Sequence, residues 1–216
     1  MLRRIRVDRA VAGVALVALT ALAAAASADM MAPDVLVKKV TLEVVGIIQN
    51  DKDMRNGNRR KIIDLIEAKV LPHFDFGTMT ATAVGLGWRK ATPEQRARLT
   101  EEFKTLLVRT YASALAAYSD QRFDFRPLHA RPSDTDVTVQ VRVIQAGAQP
   151  LSIDYGMEKT SSGWKVYDVS VGGVSLVANY RTEFGNLVRA EGIDGLIRNL
   201  HAKNESLEQS GKQGAK

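Results

Sequence analysis

The 216-residue chain contains no cysteine, only three histidines and six prolines, and aromatic residues make up 6% of it. Without cysteine there are no disulfides, no thiolate metal ligands and no thiol nucleophile. The histidines, His73, His129 and His201, stand far apart and form no H-x-x-x-H or H-E-x-x-H spacing, which argues against a zinc site. The sequence therefore predicts no metal and no cofactor.

Concentrated charge is also absent. The formal net charge is +6, but no run of five or more basic residues occurs, and the densest cluster, 58–61, is typical of the polar first turn of a helix. Nucleic-acid-binding proteins usually concentrate basic side chains on one face, with aromatic residues between them. We therefore expect no nucleic-acid partner.

Catalytic motifs are incomplete wherever they occur. Ser175 lacks the closing glycine of a nucleophile elbow, and we expect it to cap a helix instead. The Ser162–Lys165 segment matches S-x-x-K, but it falls at a predicted hairpin tip where no pocket can activate a serine. Asp154, Glu158 and Asp168 fall on the predicted solvent face of a sheet. No catalytic residue is predicted, and the protein is not expected to be an enzyme.

One long apolar run is present, at the N-terminus. Four arginines precede an uncharged stretch over 10–26, and Ala26-Ser27-Ala28 follows the small-x-small pattern of a signal-peptidase site. The alternative, a membrane anchor, usually needs about 20 apolar residues. The sequence thus predicts a signal peptide over 1–28, with the mature protein beginning at Asp29.

The rest of the chain changes its hydrophobic period from 3.6 to 2 and back. Three- and four-residue spacings indicate helices; they are predicted over 33–49, in a segment ending at Pro72, over part of 75–90, over 93–118 behind a Thr92 capping box, and after Gly173 with a break at Gly192. Alternating residues indicate strands; these are predicted over 123–130, 135–145, 150–159 and 164–171. The predicted fold is α+β, a four-stranded antiparallel sheet with helices over its apolar face. It forms one domain over 29–201, and a polar tail over 202–216 is expected to be disordered.

Several segments resemble a known family. Residues 164–184, WKVYDVSVGGVSLVANYRTEF, carry the longest match, and shorter ones are Phe74-Asp75-Phe76, Met79-Thr80, Trp88, the Thr92–Gln95 cap and Phe103. Together they are similar to the MlaC family of periplasmic phospholipid-binding proteins, also called toluene-tolerance auxiliary proteins. The resemblance implies a monomeric periplasmic carrier with lipid tails held between sheet and helices.

Partners also follow from the resemblance. Family members exchange phospholipid with the MlaD subunit of an inner-membrane ABC transporter and with the outer-membrane lipoprotein MlaA, which is held by a porin, and so maintain outer-membrane lipid asymmetry. Two alternatives stay open at this point: a hopanoid or other lipid as ligand, and a small enzyme built on a cone-shaped fold.

An apolar face can be a packed core or the wall of a pocket, and periodicity alone does not separate the two. The resemblance favours a pocket between the helices and the sheet. Its predicted lining combines strand positions of one parity with the apolar stripes of two helices. These candidates are Phe103, Leu106, Tyr111, Val139, Val141, Ile153, Tyr155, Tyr167, Val169, Leu176, Tyr180 and Phe184.

Overall fold

The computed structural model describes residues 30–117, 121–131, 133–145 and 147–213. The predicted signal peptide and the last three residues of the chain lie outside these ranges. Within them, the helices are α1 (Pro33–Asn50), α2 (Lys52–Arg55), α3 (Arg59–Lys69), α4 (Phe76–Val84), α5 (Leu86–Lys90), α6 (Pro93–Ala117) and α7 (Arg181–Gln213). The strands are β1 (Arg122–Phe125), β2 (Asp136–Ile144), β3 (Leu151–Thr160), β4 (Gly163–Val171) and β5 (Val174–Ser175).

The capping box predicted for α6 is confirmed. The Gln95 backbone N–H donates to Thr92 Oγ1 at 3.2 Å, and the Thr92 N–H donates to Gln95 Oε1 at 3.0 Å. These reciprocal bonds satisfy backbone donors that the first helical turn cannot pair internally. Tyr118, the last residue predicted for this helix, lies outside the described residues.

The sheet is an antiparallel meander in the order β1-β2-β3-β4-β5, so the predicted number of four strands is wrong for the described residues. The fifth strand follows the pair Gly172-Gly173, whose φ angles are 59° and 83°. A two-residue type I′ hairpin turn needs positive φ at both positions, which glycine adopts without strain. The glycine pair therefore reverses the chain, and Val174 pairs with Val171.

A β-bulge on β4 corrects the predicted face of one residue. Val166 lies opposite Met157 and Asp168 lies opposite Gly156, which leaves Tyr167 as an extra residue between them. A bulge of this kind reverses the alternation of side chains along its strand. Tyr167 consequently lies on the outer face, opposite to Val169, and the sequence prediction that grouped these two residues is wrong.

The C-terminal helix is longer than expected. The predicted break at Gly192 is present, with φ 72° and ψ −176°, but the helix continues to Gln213, so the prediction of disorder from Ala202 is wrong for the described part of the tail. Asn204 is only 3% exposed and donates to the Glu102 carbonyl at 2.9 Å. Arg109 on α6 donates to the Asn204 carbonyl. Polar contacts between helices thus order a segment whose composition is typical of disorder.

Two of the protein's hydrophobic clusters are formed by different elements of the fold. One joins α4, α6 and α7 around Phe103 and Phe184. Another lies on the inner face of the sheet, where Val37 of α1 packs with Val139, Val141 and their neighbours. In the described part of the chain, no helix is long and apolar enough to span a bilayer.

Candidate functional site

An apolar cavity of about 480 Å³ lies between α1 and the inner face of the sheet, bounded also by α6 and residues 70–76. Small-molecule sites in proteins usually measure about 300–1,000 Å³. Apart from Thr41, His73, Tyr111 and Tyr155, every side chain on its described wall is hydrocarbon or thioether. Such a wall favours an apolar ligand.

The apolar face of α1 packs against other elements near both ends of the helix and also lines the cavity. Near the start of the helix, Val37 packs on the sheet, and near its end Val44 and Ile48 also pack in a cluster with α3 and α6. Between these two anchored ends, Val40 and Thr41 face the cavity. The helix therefore spans the cavity and forms one of its walls.

The opposite wall is formed by β3 and β4. Ile153, Tyr155 and Met157 alternate along β3 and face inward, and Val169 lies directly across from Tyr155. Val166, just before the bulge in the chain, also faces inward. Of the twelve residues predicted to line a pocket, five lie on this cavity's wall: Tyr111, Ile153, Tyr155, Val169 and Leu176.

Four of the other predicted residues lie in the helical core. Phe103 and Phe184 meet edge to face with their ring centroids 5.3 Å apart, and Tyr180 packs against both at 5.2 Å. Leu106 is buried in the same cluster. An amphipathic stripe shows that a helical face is buried, but not which neighbour covers it. For this reason the sequence could not separate these residues from Tyr111, which lies on the same helix as Phe103 and faces the cavity.

Two strand candidates are solid core. Val139 is 2% exposed and Val141 is 1% exposed, and neither reaches the cavity. Both lie on β2, where α1 and the neighbouring strands pack closely against the sheet. Tyr167, as described above, lies on the outer face. Strand parity correctly predicted the buried face of β2 but not where that face is covered by protein and where by empty space.

The sequence prediction missed the cavity residues of α1 and of the irregular segment that follows α3. Phe74 and Phe76 stack with centroids 5.7 Å apart and both line the cavity, next to His73. This segment has neither the helical nor the strand period, so periodicity did not mark it, although Phe74-Asp75-Phe76 is one of the segments that carry the family resemblance. For α1, the apolar stripe through Val40 was visible in the sequence and would have located this wall.

Two ionisable side chains of the cavity wall, Tyr155 and His73, are neutral at pH 7. Burial raises the pKa of Tyr155 to about 12. Burial also lowers the pKa of His73, and the nearby positive charges of Lys165 and Lys39 lower it further. A partly buried imidazole with a lowered pKa stays uncharged at neutral pH. No formal charge opposes the entry of a hydrocarbon chain.

Ser175, the serine considered above as a nucleophile, has structural contacts. Its Oγ donates to Asp168 Oδ1 at 2.8 Å and accepts from the Ala178 N–H at 2.9 Å, at the start of a short 3₁₀ helix. Among the described residues, no three His, Asp or Glu side chains are placed to hold a metal ion.

The chain is similar to curated proteins and to solved structures. The chain is 27% identical over 163 residues to the toluene tolerance protein ttg2D of Pseudomonas putida, covering 75% of each chain. It is 24% identical over 172 residues to the intermembrane phospholipid transport system binding protein MlaC of Haemophilus influenzae, covering 78% of this chain and 80% of that one. A solved structure, the phospholipid-binding protein from Ralstonia solanacearum in complex with a phospholipid, is similar with a TM-score of 0.75 and 38% identity.

That structure aligns with 81% of this chain and 98% of its own. A family model described as MlaC protein matches residues 38–202, which include most of the residues that line the cavity. The chain belongs to the MlaC family.

Proposed function

We propose that this protein carries phospholipid across the periplasm and holds the acyl tails in the cavity between α1 and the sheet. The observation that carries the proposal is the cavity itself, with a volume of about 480 Å³ and a wall that is neutral and almost wholly apolar. The relatives support it, because one is a phospholipid transport binding protein and another was solved with a phospholipid. Export through the predicted signal peptide over 1–28 is part of this proposal.

An apolar cavity avoids the free-energy cost of exposing acyl chains to water. Two acyl chains carry roughly 30 methylenes, and their exposure to water would cost on the order of 20 kcal/mol. Transfer into an apolar cavity replaces the bilayer interior with a similar environment, so the exchange becomes nearly isoenergetic. The tails must still be shielded during the transfer, which requires docking to a partner at each membrane.

The resemblance suggests those partners: an MlaD-like subunit of an inner-membrane ABC transporter and an MlaA-like lipoprotein with its porin. A shuttle between them would maintain the lipid asymmetry of the outer membrane. The proposed role is binding without chemistry, so phospholipid incubated with the protein should be recovered unchanged.

Native mass spectrometry of protein purified from the periplasm tests the proposal. We expect a chain beginning at Asp29 with a bound mass equal to that of a phospholipid with two acyl chains. A hopanoid mass would change the ligand class, and a bare chain that takes up no lipid from vesicles would contradict the carrier function. Release of lysophospholipid or free fatty acid would contradict a purely binding role.

A further inference from the structure

A groove on the outside of the protein lies between α3 and α6, next to the cavity. Its volume is about 700 Å³, and its wall includes Ile63 of α3 and Thr105 of α6, neither of which lines the cavity. The described walls of the groove and the cavity share three side chains, Leu71, Phe76 and Val108. We call these three side chains the partition, because they form the layer that separates the two spaces.

The partition lies at one end of the cavity. Along β3 the cavity wall extends from Ile153 to Met157, a length of about 13 Å for four residues of a strand. Met157 lies across from Val166, to which Phe74 forms a β-bridge. Phe74 in turn stacks on Phe76 of the partition. An acyl tail that lies along β3 and extends past Met157 therefore meets the partition.

Hydrogen bonds fix the backbone that carries Leu71 and the start of α4. The Phe74 N–H donates to the Leu71 carbonyl at 3.1 Å, and the Asp75 N–H donates to the Val166 carbonyl at 2.8 Å. Asp75 also caps α4, since its carboxylate accepts from the Thr78 N–H at 2.8 Å. None of these bonds uses a side chain of the partition. Truncation of such a side chain should therefore leave the backbone in place and open a passage between the cavity and the groove.

The two spaces differ in polarity. The described wall of the cavity contains no Asp, Glu, Lys or Arg. The groove is lined by charged side chains, among them Lys104 and Glu101, whose Nζ and Oε2 atoms lie 2.6 Å apart. A methylene that leaves a bilayer for the cavity stays in an apolar environment. A methylene that finds no room there is exposed to water, which should lower the binding constant about fourfold.

We propose that the partition sets the maximum length of the acyl tails that this protein binds. The inference rests on the proposed function and adds what determines the choice among phospholipids that share one headgroup. Tails that end before the partition transfer from a bilayer at almost no cost, whereas each further methylene finds no room. The amount of lipid bound should therefore be insensitive to tail length up to a limit, and it should fall steeply beyond that limit.

A series of phosphatidylethanolamines tests the inference. Their tails lengthen in steps of two methylenes, from short to well beyond the usual membrane lengths. Lipid-free protein is incubated with vesicles that contain the whole series in equal amounts, and bound lipid is identified by native mass spectrometry. For the unmodified protein we expect constant binding up to the limit and then a loss of about fourfold per methylene. Val108→Ala should move the limit to longer tails by at least one step.

Thr105→Ala is the matched control. Threonine and valine have nearly the same shape, and Thr105 lies on the same helix as Val108 but lines only the groove. This variant should keep the limit of the unmodified protein. Leu71→Ala removes a different part of the partition and should also move the limit to longer tails, so the test stays decisive if Val108→Ala misfolds.

Three outcomes overturn the inference: binding by the unmodified protein that does not fall at any tail length, an unchanged limit in the folded partition variants, or an equal change in Thr105→Ala. If no form of the protein takes up any lipid, the proposed function fails rather than the role of the partition.

A second arm shows where the tail ends. A phosphatidylethanolamine with a diazirine at the end of one long tail is bound and photolysed, and labelled residues are located by peptide mass spectrometry. In Val108→Ala we expect label on Ile63 and Glu67 of α3, which line the groove but not the cavity. These residues should stay unlabelled in the unmodified protein. Equal labelling of them in both proteins would mean that the partition does not close the cavity, and it would overturn the proposal.

Discussion

The ring of Tyr167 lies across Gly156 on the outer face of the sheet. A methyl group built on Gly156 would come within 3.2 Å of Tyr167 Cζ, closer than an ordinary van der Waals contact. The Tyr167 hydroxyl donates to Asp136 Oδ1 at 3.2 Å, so the ring bridges from β4 over β3 to the end of β2. The missing side chain at Gly156 makes room for the ring that the bulge turns outward.

Gly156→Ala should therefore lower the free energy of unfolding by about 1 kcal/mol, the lower end of typical overpacking costs. Chemical denaturation measures the change. In a Tyr167→Ala background the same substitution should be neutral or stabilising, because alanine reduces the entropy of the unfolded chain by about 0.4–1 kcal/mol relative to glycine. An equal cost in both backgrounds would show that the contact with Tyr167 is not the cause.

Substitutions of two glycines in α7, Gly192 and Gly185, test the break in this helix. Gly192 has a φ of 72° with an extended ψ, a conformation that strains any other residue. Gly192→Ala should cost about 1–3 kcal/mol of stability. Gly185→Ala, in the same helix, is the control; its added methyl would meet only the far end of Arg189, and it should stabilise by up to about 1 kcal/mol.

The break at Gly192 and the bulge at Tyr167 show how much of the fold the sequence predicts. The break at Gly192 was predicted because one glycine interrupts a continuous helical stripe. The bulge at Tyr167 was not, because Tyr167, Val169 and Val171 keep a regular alternation in the sequence. A bulge is decided by pairing with the neighbouring strand, and here Asp75 also bonds the strand edge beside it. Contacts of this kind join residues too distant in sequence for local periodicity to report.

Tryptophan substitutions separate the solid part of the sheet face from the cavity. Val141 is packed core, so Val141→Trp should cost about 1–3 kcal/mol of stability or cause aggregation. Ile153 lies across from Val141 on the next strand and lines the cavity. Ile153→Trp should keep the fold, fill part of the cavity and reduce the lipid that co-purifies by more than half.

Thermal melting and mass analysis of extracted lipid give both readouts. Arg142→Trp is the control, since Arg142 is exposed on the outer face, and it should keep both fold and lipid. Full lipid load in a folded Ile153→Trp protein would count against the cavity as the lipid site.

The residues that line the cavity were predicted only in part, because local periodicity also does not report which buried residues face empty space. Ile153 and Val141 have the same parity and the same residue class, so they are equivalent in sequence. They differ only in what covers them: Val141 packs with Val37 of α1, whereas Ile153 faces the gap beside that helix. Empty space is a property of how elements are placed in three dimensions, and it has no local signature in the chain.

A carboxylate on the outer face gives a pH-dependent prediction. Burial raises the pKa of Glu158, as do its hydrogen bond with Asp75 and the negative charges of Asp75 and Asp136. Asp136 lies directly across from Glu158 on β2, and like charges in this position typically cost about 0.2–1 kcal/mol. Since the folded pKa lies above the unfolded one, the protein loses stability as the pH rises through the folded value.

Glu158→Gln removes this loss. The variant should be more stable than the unmodified protein by about 0.2–1 kcal/mol at pH 8, and the difference should vanish below the ordinary glutamate pKa of 4.5. Melting curves across this range measure it. Asp154→Asn is the control, because its cross-strand neighbours Gln140 and Ser170 are uncharged, and it should not reproduce the stability gain at pH 8. A stability gain that is the same at every pH would exclude the charge explanation.

The cavity beneath α1 also bears on how the molecule moves. Atoms beside a void lack partners on one side and lose the dispersion energy those partners would supply. Val40 and Thr41 are in this position, whereas the core around Phe103 is closed on all sides. Segments with incomplete packing open locally at a lower free energy than the whole domain, so amide hydrogens of α1 should exchange with solvent before those of α6. Any molecule that fills the cavity supplies the missing partners, and it slows the opening through which it would leave.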